Sequence, residues 1–436
     1  HLDKQTIYGG ISCIFWLLML IITLKYIVYA LSADNNGEGG IFALYALLKK
    51  KKKRWIIVPT LIGCATLMAD GFITPAISIS SAVEGLAYIA PDINPKPYVL
   101  GIILILFFVQ QFGTEKLGKT FGPVMVLWFG MLMYLGIINI MKNPAIIEAI
   151  NPKYAINLIF RSPYVLAILG GVTLCITGAE TIYSDLGHCG KKNIRISWIF
   201  ILSALLVNYF GQAAICTLPD FQLQKGETVF YQMVPKYLIG FVIILATTAS
   251  IIASQAVISG IFTLMNEAMK LRLWTNFKIK YPSEHKGQIY IPAINWFLMI
   301  GAACVVIVFN SSESMTAAYG LAININMIMT SLLLGYLLMA RFPRFKWFYV
   351  VIFIGFLAIE MKLLSANTSK IHSGGWFALF LSAIFFFFLY MYYKARQLRS
   401  RITEYVKMAD VVPLLGKIRE DNGIMYEATN LVYPTR

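Results

Sequence analysis

Long apolar runs separated by short charged segments dominate this chain. A helix needs about 20 apolar residues to cross a hydrocarbon core of about 30 Å. Eleven runs answer to that pattern, at about 8–31, 55–88, 97–113, 121–141, 164–187, 194–216, 237–267, 289–309, 316–340, 346–363 and 375–394. The second and seventh are the longest, each well beyond the twenty or so residues a span needs, so they are expected to tilt, kink or extend beyond the bilayer. The predicted fold class is therefore all-α and polytopic. Residues 1–398 read as one transmembrane domain. From 399 to 436 the pattern turns to mixed polar and apolar, ending in YEATNLVYPTR with a strand-like rhythm. That stretch reads as the start of a cytoplasmic C-terminal module, too short here to hold a core.

Polar residues inside the apolar runs carry the chemistry. Thr66–Tyr88, TLMADGFITPAISISSAVEGLAY, holds Asp70 and Glu84, the pair Thr74-Pro75, and hydroxyls at Ser78, Ser80 and Ser81. A carboxylate costs about 2.5–3.5 kcal/mol at the centre of a spanning helix. Asp70, Thr74 and Ser78 fall at i, i+4 and i+8 and would share one helical face. Pro75 lacks an N–H and can free a carbonyl nearby. Glu84 lies about 20 Å further along a continuous helix, nearer the outer mouth of a pathway. The alternative is that these acids only tie helices together.

A second cluster lies in LAILGGVTLCITGAETIYSDLGHCG, residues 166–190. Thr177, Glu180 and Ser184 fall at i, i+3 and i+7, again one face. Gly170, Gly171 and Gly178 weaken the helix and allow it to break, as in transporters whose discontinuous helices offer carbonyls and helix ends to ions. Asp185 and His188, nearer the cytoplasmic end, read as interfacial caps. A third cluster, MTAAYGLAININM at 315–327, offers Tyr319, Asn324 and Asn326, as cavity lining or as interhelical glue. Lys25, in the first run, is accounted for by snorkelling, with pairing to a buried acid as the alternative.

Composition supports the membrane assignment. Of 436 residues, 58% are hydrophobic and only 13% charged, against about 25% charged in soluble domains. The net charge of +16 does not require nucleic acid, because Lys and Arg collect in cytoplasmic loops. One set of alternate connections holds 19 of them and the opposite set 8. The first set is assigned to the cytoplasm, which places the C-terminus inside and the start at His1 outside. A further helix before His1 would give twelve spans with both ends inside. The six cysteines show no C-x-x-C pair and read as small packing residues. The four histidines lack ligand spacing, and no nucleophile–base pair is recognisable, so an enzyme is not expected. Gly37-Glu38-Gly39-Gly40 lacks a Walker lysine, so ATP-driven transport is not implied. What remains is an all-oxygen environment suited to a hard monovalent cation, with acids able to carry a proton. Ion and proton in one bundle point to a symporter.

The segments ADNNGEGGIFALYAL (33–47), ADGFITPAISISSAVEGL (69–86), FGTEKLGKTFGPVMVLWF (112–129), ITGAETIYSDLGHCG (176–190), NYFGQAA (208–214), IASQAVISG (252–260), GQIYIPAINW (287–296) and SGGW (373–376) resemble the KUP/HAK/KT potassium uptake permeases. They run in family order and cover nearly the whole chain. The resemblance implies potassium uptake by proton symport at the cell membrane. It implies the broken-helix, inverted-repeat fold of amino acid–polyamine–cation transporters (LeuT-like), with eleven visible spans of an expected twelve. It places potassium ligands at Asp70, Thr74, Ser78, Thr177 and Glu180, adds Tyr319, and ties Glu84 to proton coupling beside Asp70 and Glu180. No cofactor is implied; the partners are the potassium ion, the proton and the lipid bilayer. A homodimer formed through the cytoplasmic C-terminal domain is a further implication. The sequence departs from the family at 318–325, where AYGLAINI has Asn324 in place of a Thr. It also lacks the family's first helix, whose Asp and Tyr belong to the ion pathway.

Three other functions compete. An amino acid or polyamine permease would share the fold, but would favour an apolar, aromatic pocket. A potassium channel would call for a carbonyl filter of the TVGYG type, which is absent from the sequence. A lipid-modifying enzyme lacks its His/Asp/Ser constellation.

Overall fold

The computed structural model describes residues 3–402 apart from 52, 90–91, 93, 113–114, 220, 224–227, 282–288 and 310. The C-terminal module expected at 399–436 lies outside the described residues from 403 onward, including YEATNLVYPTR, as does His285. Residues up to Tyr390 form one compact unit, and a second begins at Met391.

Among the described residues the regular elements are helices, and the only β pairings are two isolated bridges, Asn35 with Glu38 and Lys280 with Tyr290. The main helices in order are α1 (Lys4–Ser32), α2 (Gly40–Lys49), α3 (Arg54–Leu86), α4 (Lys96–Gln110), α5 (Glu115–Lys142), α6 (Pro152–Arg161), α7 (Val165–Val172) and α8 (Ala179–Ser184). They continue with α9 (Lys191–Cys216), α10 (Lys236–Lys270), α11 (Pro292–Val308), α12 (Ser312–Arg341), α13 (Lys346–Thr368) and α14 (Trp376–Ile402). Among the described residues, nine spans are long and apolar enough to cross a membrane, counting α7 with α8 as one. Every apolar run of the sequence forms a helix, yet two are shorter than a full span. The run at 97–113 gives α4 with 15 residues, and that at 289–309 gives α11 with 17. Pro97 and Pro292 lie in their first turns, where proline fits better than in the interior.

Two helices form the centre. In α3 and in α12, 78% of the spanning window is buried, against 22% in α13. Both carry apolar residues all round, as a helix surrounded by protein does. α3 packs against α12, α10, α11 and α4. It continues helically through Pro75. Phe72 stacks on Phe385 of α14 at 5.7 Å between ring centroids and meets Phe297 of α11 edge-on at 5.2 Å, joining three helices by rings.

At the periphery α5 and α9 touch backbone to backbone. A Cβ added at Gly211 would stand 2.7 Å from the Gly136 Cα, and one at Gly136 would stand 2.5 Å from the Val207 carbonyl oxygen. Small residues at a crossing are what lets helices approach when lipid supplies no hydrophobic drive between them. Asn208 Nδ2 donates to the Leu132 carbonyl across the same seam at 3.3 Å. Neither obstructing group is a flexible side-chain end, so Gly211→Ala must push the helices apart. Its expected cost is about 1–3 kcal/mol, seen as a lower melting temperature of the detergent-purified protein by size-exclusion after heating. An unchanged melting temperature would mean that the two backbones are not in contact.

Candidate functional site

Asp70 stands halfway along α3 and is buried, as is Thr74 one turn later. The spacing i, i+4 stacks the two side chains, and the Thr74 hydroxyl donates to Asp70 Oδ1 at 2.7 Å. Pro75 has no N–H, so the Gly71 carbonyl loses its usual helical donor. Ser78 is half-buried one turn beyond Thr74 on the same face. From α12, the half-buried Tyr319 brings its hydroxyl within hydrogen-bond reach of both Thr74 and Thr177.

Thr177 arrives there because the helix breaks beside it. α7 ends at Val172 and tightens into a 3₁₀ turn at Thr173–Ile176. Thr177 is then extended (φ −71°, ψ 160°), and Gly178 is left-handed at φ 88°. Glycine takes that conformation without the steric penalty of a Cβ. α8 begins at Ala179. The break expected from the glycines is present. The single helical face expected for Thr177, Glu180 and Ser184 is not, since Gly178 interrupts the helix between Thr177 and Glu180. Glu180 lies buried in the first turn of α8 and accepts a hydrogen bond from the Tyr26 hydroxyl at 3.1 Å. Asp70 and Glu180 are near enough to feel each other's charge, and both act on Tyr319. A cavity of about 20 Å³ opens beside Asp70 between α3, α8 and α10, lined by Leu67, Thr181, Ser184 and Gly260 among others. That is room for one water or one bare cation.

Lys25 corrects the snorkelling account. It is completely buried in a π-helical part of α1, Leu18–Tyr29. Its ammonium donates to Glu360 Oε1 of α13 at 2.6 Å and to the Met327 carbonyl at 2.9 Å. The alternative of a buried acid partner is the one found. Glu360 escaped the sequence reading because it is the only acid in its run and lies near the run's end, beside Lys362. The available signal was that Lys25 and Glu360 are opposite charges inside apolar runs, where each needs a partner.

Glu84 is not brought to this cluster. It closes the end of α3, where its carboxylate accepts the Ser312 N–H at 2.8 Å and the Ser312 hydroxyl. A negative charge at the N-terminus of α12 also meets the helix dipole favourably. Asn324 and Asn326 are buried, with Asn326 against α3 at Gly63. The ADNNGEGG segment forms a tight turn. Its Ala33 carbonyl accepts from the Tyr183 hydroxyl of α8 at 2.7 Å, and its Glu38 lies 3.6 Å from Lys270. Asp185 follows the last spanning residue of α8, and burial pushes its carboxyl up to about 7. The His188 side chain lies outside the described residues. Among the described residues no group of three or more His, Cys, Asp or Glu converges as a metal centre.

Over residues 1–397 the chain matches the K+ potassium transporter integral membrane domain. The chain belongs to this potassium transporter family. The family is one of transporters and not of enzymes. A "probable potassium transport system protein Kup" of Flavobacterium psychrophilum is 48% identical over 441 residues, covering all of this chain and 67% of the relative. Proteins of the same description in Enterococcus faecalis and Clostridium perfringens are 42% and 41% identical, covering 100% and 98% of this chain. The chain thus spans about two thirds of the length of these relatives, which are 67% and 66% covered. Membership and the buried apolar spans together make this a multi-pass membrane protein.

The Glu84 contact yields a stability prediction for this transporter. Glu84→Leu leaves the Ser312 N–H without its acceptor, and is expected to cost about 1–2 kcal/mol. Glu84→Gln, which keeps an acceptor oxygen, should fall between it and the wild type in melting temperature. Equal melting of all three would remove the capping role.

Proposed function

We propose that the chain imports potassium ions in symport with protons. The observation that carries this reading is the set of oxygens gathered beside the helix break. The Thr74 hydroxyl is bonded to the Asp70 carboxylate, the Tyr319 hydroxyl stands within reach of Thr74 and Thr177, and the Glu180 carboxylate is near enough to Asp70 to feel its charge. Such donors can replace the hydration shell of a hard monovalent cation. Ser78 extends the same face and completes the proposed ligand set. The potassium transport named for the relatives supports the choice of ion.

Two carboxylates close together in a low-dielectric bundle repel each other, and either a bound cation or a proton relieves that repulsion. Asp70 and Glu180 therefore alternate between the ion and the proton in this proposal. Glu84, about 20 Å along α3 by helix rise, is the outer acid of the proton path. The fold is taken to be the broken-helix, inverted-repeat type of the LeuT-like transporters, a reading supported by the α7–α8 break near the site. The distribution of Lys and Arg supports a cytoplasmic C-terminus in the cell membrane, and any dimer would form through the cytoplasmic C-terminal domain.

Proteoliposomes holding the full-length protein provide the test. Potassium or rubidium influx is expected to rise with an inward proton gradient, and Glu180→Gln should abolish it without loss of protein in the membrane. Flux that follows the potassium equilibrium potential alone, indifferent to pH, would replace the symporter with a channel. Normal influx through Glu180→Gln would remove Glu180 from the site.

A further inference from the structure

Behind Glu180 lies a second polar group that the proposed ligand set does not use. It runs through three helices. The Lys25 ammonium has three protons, and three acceptors surround it: Glu360 Oε1 at 2.6 Å, the Met327 carbonyl at 2.9 Å and the Tyr26 hydroxyl at 3.4 Å. The ammonium also stands 4.5 Å from the centroid of the Tyr26 ring. Glu360 Oε1 takes a further bond from Ser331 at 2.9 Å. Lys25, Tyr26 and Glu360 are all fully buried.

The phenol oxygen of Tyr26 is surrounded by donors on one side. Lys25 approaches it, and the Thr330 hydroxyl lies in hydrogen-bond reach. A phenol has one proton to give. With donors already directed at its oxygen, that proton points the other way, to Glu180 Oε1 at 3.1 Å. One oxygen of Glu180 is thereby held, and its other oxygen is left for the site shared with Asp70, Thr74, Thr177 and Tyr319. The charged and titratable groups facing Glu180 are Lys25 and Tyr26 from α1, Asp70 from α3 and Tyr319 from α12. Glu360 of α13 stands beyond Lys25.

A purely adhesive role fits this geometry poorly. Glu360 Oε2 has no hydrogen-bond partner among the described atoms. A buried ion pair with a bare carboxylate oxygen holds helices together no better than apolar side chains of equal size. Apolar side chains could not, however, fix the direction of the Tyr26 proton. The wider π-helical turn at Leu18–Tyr29, a form that recurs at functional sites, is what brings the adjacent Lys25 and Tyr26 inward together.

We propose that Tyr26, Lys25 and Glu360 are positioning residues for Glu180, a relay in which the ion pair aims the Tyr26 hydroxyl and the hydroxyl fixes the carboxylate for the cation. The inference rests on the reading of Glu180 as part of the potassium site. The relay orients a ligand and takes no part in translocation itself, so it acts on the apparent affinity for the ion more than on the maximal rate.

The test is concentration-dependent rubidium or potassium uptake by the full-length protein in proteoliposomes, normalised to folded protein. Tyr26→Phe removes one oxygen atom and keeps the ring. It is expected to raise KM about tenfold, the loss of one hydrogen bond to a charged group, with the maximal rate within about twofold. The double variant Lys25→Met with Glu360→Gln removes both charges together, so neither is left buried alone. It should raise KM to a similar extent. Adding Tyr26→Phe to it should raise KM little further, since groups acting through one another are non-additive. Wild-type KM in Tyr26→Phe overturns the relay whatever happens to the melting temperature. Should the double variant fail to assemble, Tyr26→Phe alone decides. Additive effects in the triple variant would also overturn it, by showing that the ion pair does not act through Tyr26. Glu180→Gln in the same assay separates the two levels. If it transports normally, the site reading fails; if it is inactive while Tyr26→Phe keeps its KM, only the relay fails.

Discussion

Hydrocarbon offers no hydrogen bonds, so a polar side chain inside this bundle is costly unless another part of the protein answers it. Most are answered, although among the described atoms Asn324 and one oxygen of Glu360 are not. That constraint explains which helices lie together. Lys25 of α1 reaches Glu360 of α13, and Tyr26 beside it reaches Glu180 of α8. Tyr319 of α12 stands within hydrogen-bond reach of Thr74 of α3 and of Thr177 at the end of the α7 segment. Asn367 of α13 donates to Thr173 of the same segment at 3.0 Å. Each bond links elements far apart in sequence, and each is worth keeping because its loss would strand a polar atom away from water. The apolar surfaces supply bulk packing, and the polar bonds decide the register.

The constraint also shapes the centre. α3 and α12 are the most enclosed spans, and they carry Asp70, Thr74, Tyr319, Asn324 and Asn326. The outer helices, such as α13, expose most of their apolar surface, and their few internal polar residues face inward. Glu360 and Asn367 of α13 are both fully buried. A chain only 13% charged therefore concentrates much of its chemistry in a few positions.

Much of this was legible in the sequence. The Asp70–Thr74 contact follows from i, i+4 spacing, and the break near Glu180 from the glycines before it. Both are local, and helical periodicity or backbone sterics reports them directly. The positions of Glu84 and Lys25 were less legible, because their partners are 228 and 335 residues away. Periodicity says that Lys25 lies in a spanning helix, but not which neighbour stands against it. Thr177 shows a third case. Its presence in the cluster was expected, but from a continuous helical face that Gly178 interrupts. An extended backbone at Thr177 and a tyrosine from α12 bring it there instead. Helix lengths at α4 and α11 were overestimated because apolar residues continue past the last turn of α4 and, at α11, both before Pro292 and after Val308.

The interruption at Thr177–Gly178 has a mechanical side as well. In a continuous helix each turn is bonded to the next, so tilting one end loads the whole rod. Here the ladder stops at Thr177, and α8 is a separate six-residue lever. Its far end is moored through Tyr183 to the turn at Ala33, just after α1, and its near end through Glu180 to Tyr26 within α1. A displacement of Glu180 is thus passed to α1 and the turn after it through side-chain bonds, whereas no helical hydrogen-bond ladder carries it across the gap into α7.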